Sequence, residues 1–405
     1  MTIAIAARIQ TAIPRHRLIG SDARGRPWGS TLAGPWTASR STRFLLRRRD
    51  RSALLGRPWQ GEPPERGEGR AMRAVGQKVA GPLDAPDALV DFEAPEPEPG
   101  PSDLLVAVKA ISVNPVDYKV RSKTPPPGGG ARILGWDAAG VVLEAGPETE
   151  GFKPGDRVFY AGDLERPGSN AERQAVDWRI VGRAPETLDF ADAAALPLTA
   201  ITAWEMLFDR LGVAEGDGGT LLMIGAGGGV GSIATQIARA LTDLTVIATA
   251  GRPETVDWLR ALGAHHVIDH AQPLAAQARA IAPDGVDMAF AINGTEEHFA
   301  EIVEALRPQG RFGLIDDPAA LDVKALKRKS LSLHWEFMFT RPMFACPDMA
   351  AQGALLNRVA ALVDAGAIRS TRAETLGRMS AETLLRAHGA LERREARGKL
   401  VLEVG

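Results

Sequence analysis

The sharpest hydrophobic pattern in the chain is a short apolar run, Leu221-Leu222-Met223-Ile224, that breaks into Gly225-Ala226-Gly227-Gly228-Gly229-Val230-Gly231. After the glycines, Val230, Ile233, Ala234, Ile237, Ala238 and Leu241 recur at the spacing of one helix face. The pattern predicts a strand, a tight turn and a helix. A second apolar strand, Leu244-Thr245-Val246-Ile247-Ala248-Thr249, follows at the distance of a strand–helix–strand unit. Further strands are expected at His266–His270, Val286–Ala291 and Gly310–Ile315, alternating with helices over residues 220–316. That alternation predicts a doubly wound parallel sheet.

Upstream the pattern changes. From Met72 to about Leu188, short strands are separated by Pro and Gly turns. Met72-Arg73-Ala74-Val75, Leu104–Ile111 and Ala139–Gly146 read as strands, and Phe152–Phe159 reads as a turn followed by one. Helices take over from about Asp189, with Pro197–Glu205 inside a helical stretch. The tail carries a helix around Leu355–Ala365 and closes on the strand-like Gly398–Val404, which suggests a return to the first domain. The expected organisation is a leader over 1–71, a β-rich domain over 72–195, a parallel-sheet domain over 196–334 and a returning segment over 335–405.

The glycine turn makes chemistry of this architecture. Glycines let the backbone approach phosphates, and a helix start offers free N–H groups and the positive end of a dipole. A dinucleotide is therefore expected against Gly225, Gly228, Gly229, Val230 and Gly231, at the end of a strand closing on Thr249. The residues after that strand discriminate between cofactors. An NAD site usually places Asp or Glu there to accept from the ribose 2′-hydroxyl. This chain has Ala250-Gly251-Arg252, and no carboxylate before Glu254. A guanidinium without a neighbouring acid suits a 2′-phosphate, so Gly251 and Arg252 predict NADPH. A solvated loop arginine is the competing reading.

Charge and composition narrow the class. Hydrophobic residues make up 45% of the 405, ordinary for a globular protein. No window is long and apolar enough to span a bilayer, and a cytoplasmic protein is expected. The one cysteine, Cys346, excludes a disulfide scaffold and a multi-cysteine zinc lobe. The net charge of −2 hides an asymmetry: residues 1–71 hold fourteen Arg, no Lys and five acids, so +9, and the remainder carries −11. The leader can be a transit peptide, a basic arm for nucleic acid, or a disordered segment translated from a start upstream of Met72. The third reading is preferred, because the first clean strand begins at Met72 and the leader's tryptophans, Trp28, Trp36 and Trp59, are isolated. The acidic body argues against nucleic acid as a partner.

Six segments in order carry a resemblance: Val113-Asn114-Pro115-Val116-Asp117, Gly135-Trp136-Asp137-Ala138-Ala139-Gly140, Lys153-Pro154-Gly155-Asp156-Arg157-Val158, Leu196-Pro197-Leu198-Thr199-Ala200, the glycine run, and Gly398-Lys399-Leu400-Val401-Leu402. Over residues 72–405 the chain resembles the medium-chain dehydrogenase/reductase superfamily, in its quinone oxidoreductase and zinc-type alcohol dehydrogenase-like branch. The resemblance implies a GroES-like β domain, a Rossmann domain, a cleft between them and a homodimer. It also implies a place for a catalytic zinc, held in such dehydrogenases by Cys, by a His-Glu pair after Gly, and by a later Cys or Asp. Here those first positions carry Asn114, Trp136 and Asp137. Trp does not ligate zinc and an Asn amide is a poor ligand, so a metal-free site is expected. The implied reaction is hydride transfer to a small-molecule quinone or α,β-unsaturated carbonyl, and the sequence does not separate the two.

The same resemblance supplies the remaining candidates. Asn114 would donate a hydrogen bond to a substrate oxygen, or serve as a turn residue before Pro115. Asp117 would orient Asn114 or the cofactor, or pair with Arg121 or Lys119. Tyr118 would relay a proton, or anchor a strand as a buried residue. Trp136 is expected as a wall of the substrate cavity. Thr202 is implied beside the nicotinamide, His270 near the adenosine phosphate, and Lys399 against cofactor, substrate or solvent. The aromatic segment His334–Phe339 would line the cleft, an interface or the core. Two functions compete with a quinone or enone reductase: an alcohol dehydrogenase with a degenerate metal site, and a non-catalytic NADPH-binding sensor or nucleic-acid binder.

Overall fold

A computed structural model describes residues 71–405. Apart from Ala71, the leader expected over 1–71 lies outside the described residues.

The alternating apolar runs form a six-stranded sheet in the order His266–Ile268, Thr245–Thr249, Thr220–Ile224, Val286–Ala291, Leu306–Leu314, Ser332–Trp335. Every pair in it is parallel. The order folds outward in both directions from the strand that precedes the glycines, the doubly wound arrangement that puts a ligand crevice at the switch point. The helix Gly229–Leu241 lies on this sheet. Ile233, Ala234, Ile237 and Ala238 are wholly enclosed, as their spacing predicts.

The β-rich half is built on the long strand Asp103–Ser112. It pairs antiparallel with Ala138–Ala145 and Arg173–Asp177, and Ala138–Ala145 pairs in turn with Arg157–Tyr160. A separate three-stranded sheet holds Val90–Pro95, Ala71–Gln77 and Arg132–Ile133. The last strand, Lys399–Glu403, pairs antiparallel with Asp103–Ser112, placing Val401 opposite Ser112. The chain's end therefore closes onto its beginning. Just before that strand, Gly398 forms a bridge with Gly228 of the glycine turn. One hydrophobic core runs continuously from the β-rich half to the sheet face under the glycine helix.

Two sequence expectations shift. Tyr118 lies on the helix Pro115–Lys123, half-buried, and not on a strand. The run expected at Gly310–Ile315 starts earlier, at Leu306, with an irregular register against Val286–Ala291.

Candidate active site

The glycine turn has the shape a pyrophosphate needs. Gly225 adopts φ +75°, and a Cβ there would sit 2.2 Å from Asn293 Oδ1. Gly231 lies so close to Ala226 that a Cβ would meet its Cα at 2.3 Å, which lets the helix start tuck against the strand. Gly228, the residue before the helix, faces open space within 4 Å, and no side chain caps the helix start. Free N–H groups at the end of a 13-residue helix and an unobstructed glycine fit a dinucleotide phosphate. Val230 follows them, half-buried, on the first turn. Thr249 Oγ1 accepts a hydrogen bond from Gly225 N at 3.0 Å, tying the second strand to the turn.

Beyond that strand, a Cβ at Gly251 would lie 3.0 Å from the His270 ring, so His270 stands directly over Gly251. His298 meets His270 edge-on with centroids 6.3 Å apart, a neighbour that sequence spacing gave no reason to choose. The Arg252 side chain is 49% exposed. Its guanidinium donates to the Glu395 carbonyl at 3.3 Å and stands 3.8 Å from Glu254. The carboxylate nearest in sequence therefore lies beside Arg252 on the next helix.

The centre of the cleft departs from expectation. Lys399, placed by resemblance against the cofactor, is 3% exposed and turns its ammonium inward. The ammonium donates to the Val113 carbonyl at 3.0 Å, to Asp137 Oδ2 at 2.9 Å and to Asn114 Oδ1. These three acceptors use all three of its hydrogens. Its stem still touches the cofactor loop, since a Cβ at Gly229 would lie 2.6 Å from Lys399 Cδ.

Asn114 is equally committed. Its amide donates to the Trp136 carbonyl at 3.1 Å and to Asp137 Oδ2 at 2.8 Å. An amide nitrogen has two hydrogens, so none remains for a substrate oxygen. In this structure Asn114 is a buried tie. Asp117 accepts from Asn114 N at 2.7 Å, which settles its place at the start of the helix Pro115–Lys123. Its alternative partners go elsewhere, Lys119 to Asp317 and Arg121 to Glu392. Burial pushes the Asp117 carboxyl up to about 7. Asp137 also takes the Leu198 N–H at 2.7 Å, so one carboxylate joins three segments of chain. Burial raises its carboxyl, against the pull of Lys399 and the hydrogen bonds.

Trp136 is wholly enclosed and donates its indole N–H to the Asp163 carbonyl at 3.1 Å, so it is core and not an open cavity wall. It meets Phe339 edge-on at 6.3 Å. Thr202 donates to the Leu198 carbonyl at 2.8 Å within its own helix, the local alternative open to a helical Thr. Tyr118 keeps a hydroxyl without a protein partner among the described residues. The segment His334–Phe339 divides: Trp335 and Phe337 are each 50% exposed, whereas Phe339 is buried.

A zinc ion does not fit this arrangement. Asn114 and Asp137 face an ammonium, and Trp136 offers no lone pair. Among the described residues, no group of three or more His, Cys, Asp or Glu side chains is placed to hold a metal.

Comparison with known proteins places the family. The model for the alcohol dehydrogenase GroES-like domain matches residues 100–185, and the model described as zinc-binding dehydrogenase matches 262–402. A zinc-type alcohol dehydrogenase-like protein of Staphylococcus aureus is 38% identical over 343 residues, 82% of this chain and all of that protein. A candidate zinc-dependent alcohol dehydrogenase from Rhizobium etli CFN 42, known by its crystal structure, is 54% identical with a TM-score of 0.80, over 83% of this chain and 98% of that one. The 2-methylene-furan-3-one reductase of Solanum lycopersicum is 35% identical over 179 residues, 41% of this chain and 44% of its own length. Within the described residues no helix is long and apolar enough to cross a membrane. The GroES-like half, the Rossmann half that takes a nicotinamide cofactor, and these likenesses make the chain an oxidoreductase of the medium-chain dehydrogenase/reductase superfamily.

Proposed function

We propose that the protein is an NADPH-dependent reductase of quinones or α,β-unsaturated carbonyl compounds that works without a catalytic metal. The observation that carries the reading is the closed network of Asn114, Asp137 and Lys399. Reducing a simple ketone builds an alkoxide, which calls for a Lewis acid or strong donors aimed at the oxygen. Here the ammonium and amide hydrogens nearest the cleft are already committed to protein acceptors. A quinone or enone spreads incoming charge over its own π system and needs mainly to be positioned. The tomato relative, by its name, reduces such an exocyclic enone.

The nicotinamide cofactor supplies a hydride when bound. The glycine turn and the start of Gly229–Leu241 would hold its pyrophosphate. Arg252, with His270 over Gly251, would take the 2′-phosphate, because the strand end offers a guanidinium and imidazoles where an NAD site offers a carboxylate. Asn114, Asp117, Asp137 and Lys399 would keep the cleft floor rigid and dry. Tyr118 would offer its free hydroxyl to the developing oxygen.

Turnover of a benzoquinone, an exocyclic enone and a simple ketone with NADPH and with NADH tests the reading, alongside metal content of the purified protein. Faster turnover of conjugated substrates and an NADPH preference of about tenfold or more, worth about 1.4 kcal/mol, are expected. Arg252→Ala should erase most of that preference. An NADH preference, or one tightly bound zinc per chain, overturns the assignment.

A further inference from the structure

Lys399 is the one ammonium in this part of the molecule that is enclosed on every side, and its surroundings have the form of a cation site. Three oxygens converge on Nζ: the Val113 carbonyl at 3.0 Å, Asp137 Oδ2 at 2.9 Å and Asn114 Oδ1. They come from the adjacent residues Val113 and Asn114, just before Pro115, and from Asp137. Asn114 and Asp137 are each fixed by something besides the lysine. Asn114 is held by its amide bonds to Trp136 O and Asp137, and by its N–H to Asp117. Asp137 is held by Leu198 N, at the start of the helix Pro197–Trp204. Only one full negative charge, Asp137, directly meets the ammonium, and both are nearly free of solvent, at 0% and 3% exposure.

The stem of the same lysine connects this cage to the cofactor loop. Gly398 N donates to the Gly227 carbonyl at 3.1 Å, and Gly398 bridges Gly228. The methylenes then pass beneath Gly229, where the lack of a Cβ leaves them room. One side chain thus joins the loop to Asn114 and Asp137.

We propose that Lys399 is a positioning residue whose ammonium is the resident cation of a preformed oxygen cage, setting the geometry of Asn114 and Asp137 from the cofactor loop. The activity arm of its test rests on the reductase reading; the stability arm does not. Long stems and full burial make the cation replaceable in principle. In Lys399→Ala the missing fragment has the size and charge of propylammonium, and propan-1-ol has the same size without the charge.

The test measures Lys399→Ala by thermal melting and by NADPH-dependent turnover, alone, with millimolar propylammonium and with millimolar propan-1-ol. The variant should lose roughly tenfold to hundredfold in kcat, the scale of a misplaced site. Propylammonium should recover part of the kcat and part of the melting temperature, and propan-1-ol neither. Wild-type turnover in the variant, equal rescue by both molecules, or no rescue by either in a folded variant overturns the proposal. Melting is read without substrate, so a wrong assignment of the reaction leaves that arm standing. If Lys399→Ala does not fold, Lys399→Met and the double variant Lys399→Met/Asp137→Asn decide it. Removing the stranded carboxylate should raise the melting temperature above that of the single variant, and an equal or lower value overturns the cage.

Discussion

At the scale of single residues, hydrogen-bond arithmetic separates what can react from what can only hold. The Asn114 amide and the Lys399 ammonium have as many acceptors as hydrogens, so neither has a donor to offer a substrate. Tyr118 is different. It is half-buried on the helix Pro115–Lys123, and the next residue, Lys119, reaches Asp317 beyond the Rossmann sheet at 2.7 Å. The tyrosine thus sits on the element that joins the two halves, with a hydroxyl uncommitted among the described residues. Tyr118→Phe is expected to lower kcat by about a hundredfold, the lower end for loss of a proton donor, with little change in the KM for NADPH. Unchanged kcat with both quinone and enone would remove Tyr118 from the chemistry and leave protonation to water.

At the scale of elements, most of the pattern was legible along the chain. The apolar runs at 221–224, 244–249 and 286–291 became strands because each is short, mostly apolar, and preceded by Thr220, Asp243 or Gly285. The helix after the glycines followed from one apolar face. The Asp137–Lys399 contact was not legible, because its partners are 262 positions apart and meet only through the returning strand Lys399–Glu403. A second long-range cluster was equally hidden. The helix Pro197–Trp204 runs on into a wider π turn, Glu205–Arg210, a distortion often tied to a local constraint. Glu205 there is buried and receives Arg341 and the Gln352 amide, while Glu336 receives Arg210. Burial, then the neighbouring Glu205, pushes the Glu336 carboxyl up to about 8. An acid whose folded value is raised stabilises the fold below its ordinary range near 4, and that contribution is lost as pH rises through 8. Asp117, at about 7, adds to the loss in the same direction. The melting temperature should therefore fall between about pH 4 and 8, by about 2–4 °C for each kcal/mol. Glu336→Gln, which cannot ionise, should flatten the upper part of that fall, and superimposable profiles for wild type and variant would show that the pair does not share a proton.

At the scale of the whole molecule, one sheet edge stands open. Among the described residues, Ser332–Trp335 is the last strand of the six-stranded sheet and pairs on one side only, with Leu306–Leu314. An unpaired edge offers its backbone groups to another strand, and proteins usually blunt such edges with charge, proline or a covering element. This one instead ends on an apolar side chain, Trp335, and Phe337 follows it two residues on, each 50% exposed. Phe337 also packs on Phe339 with centroids 5.5 Å apart, and Phe339 on Trp136, so the patch is anchored to the core behind the cleft. Such a surface is best covered by a second copy of the chain, whose own edge strand would extend the sheet across a two-fold axis. The protein is expected to run as a dimer in light scattering at micromolar concentration. Trp335→Glu with Phe337→Glu should shift it to monomer without loss of NADPH binding, because the glycine turn lies two strands inward, beyond Leu306–Leu314 and Val286–Ala291. A wild-type monomer, or a double variant that remains dimeric, would mean that this edge meets something other than its own copy.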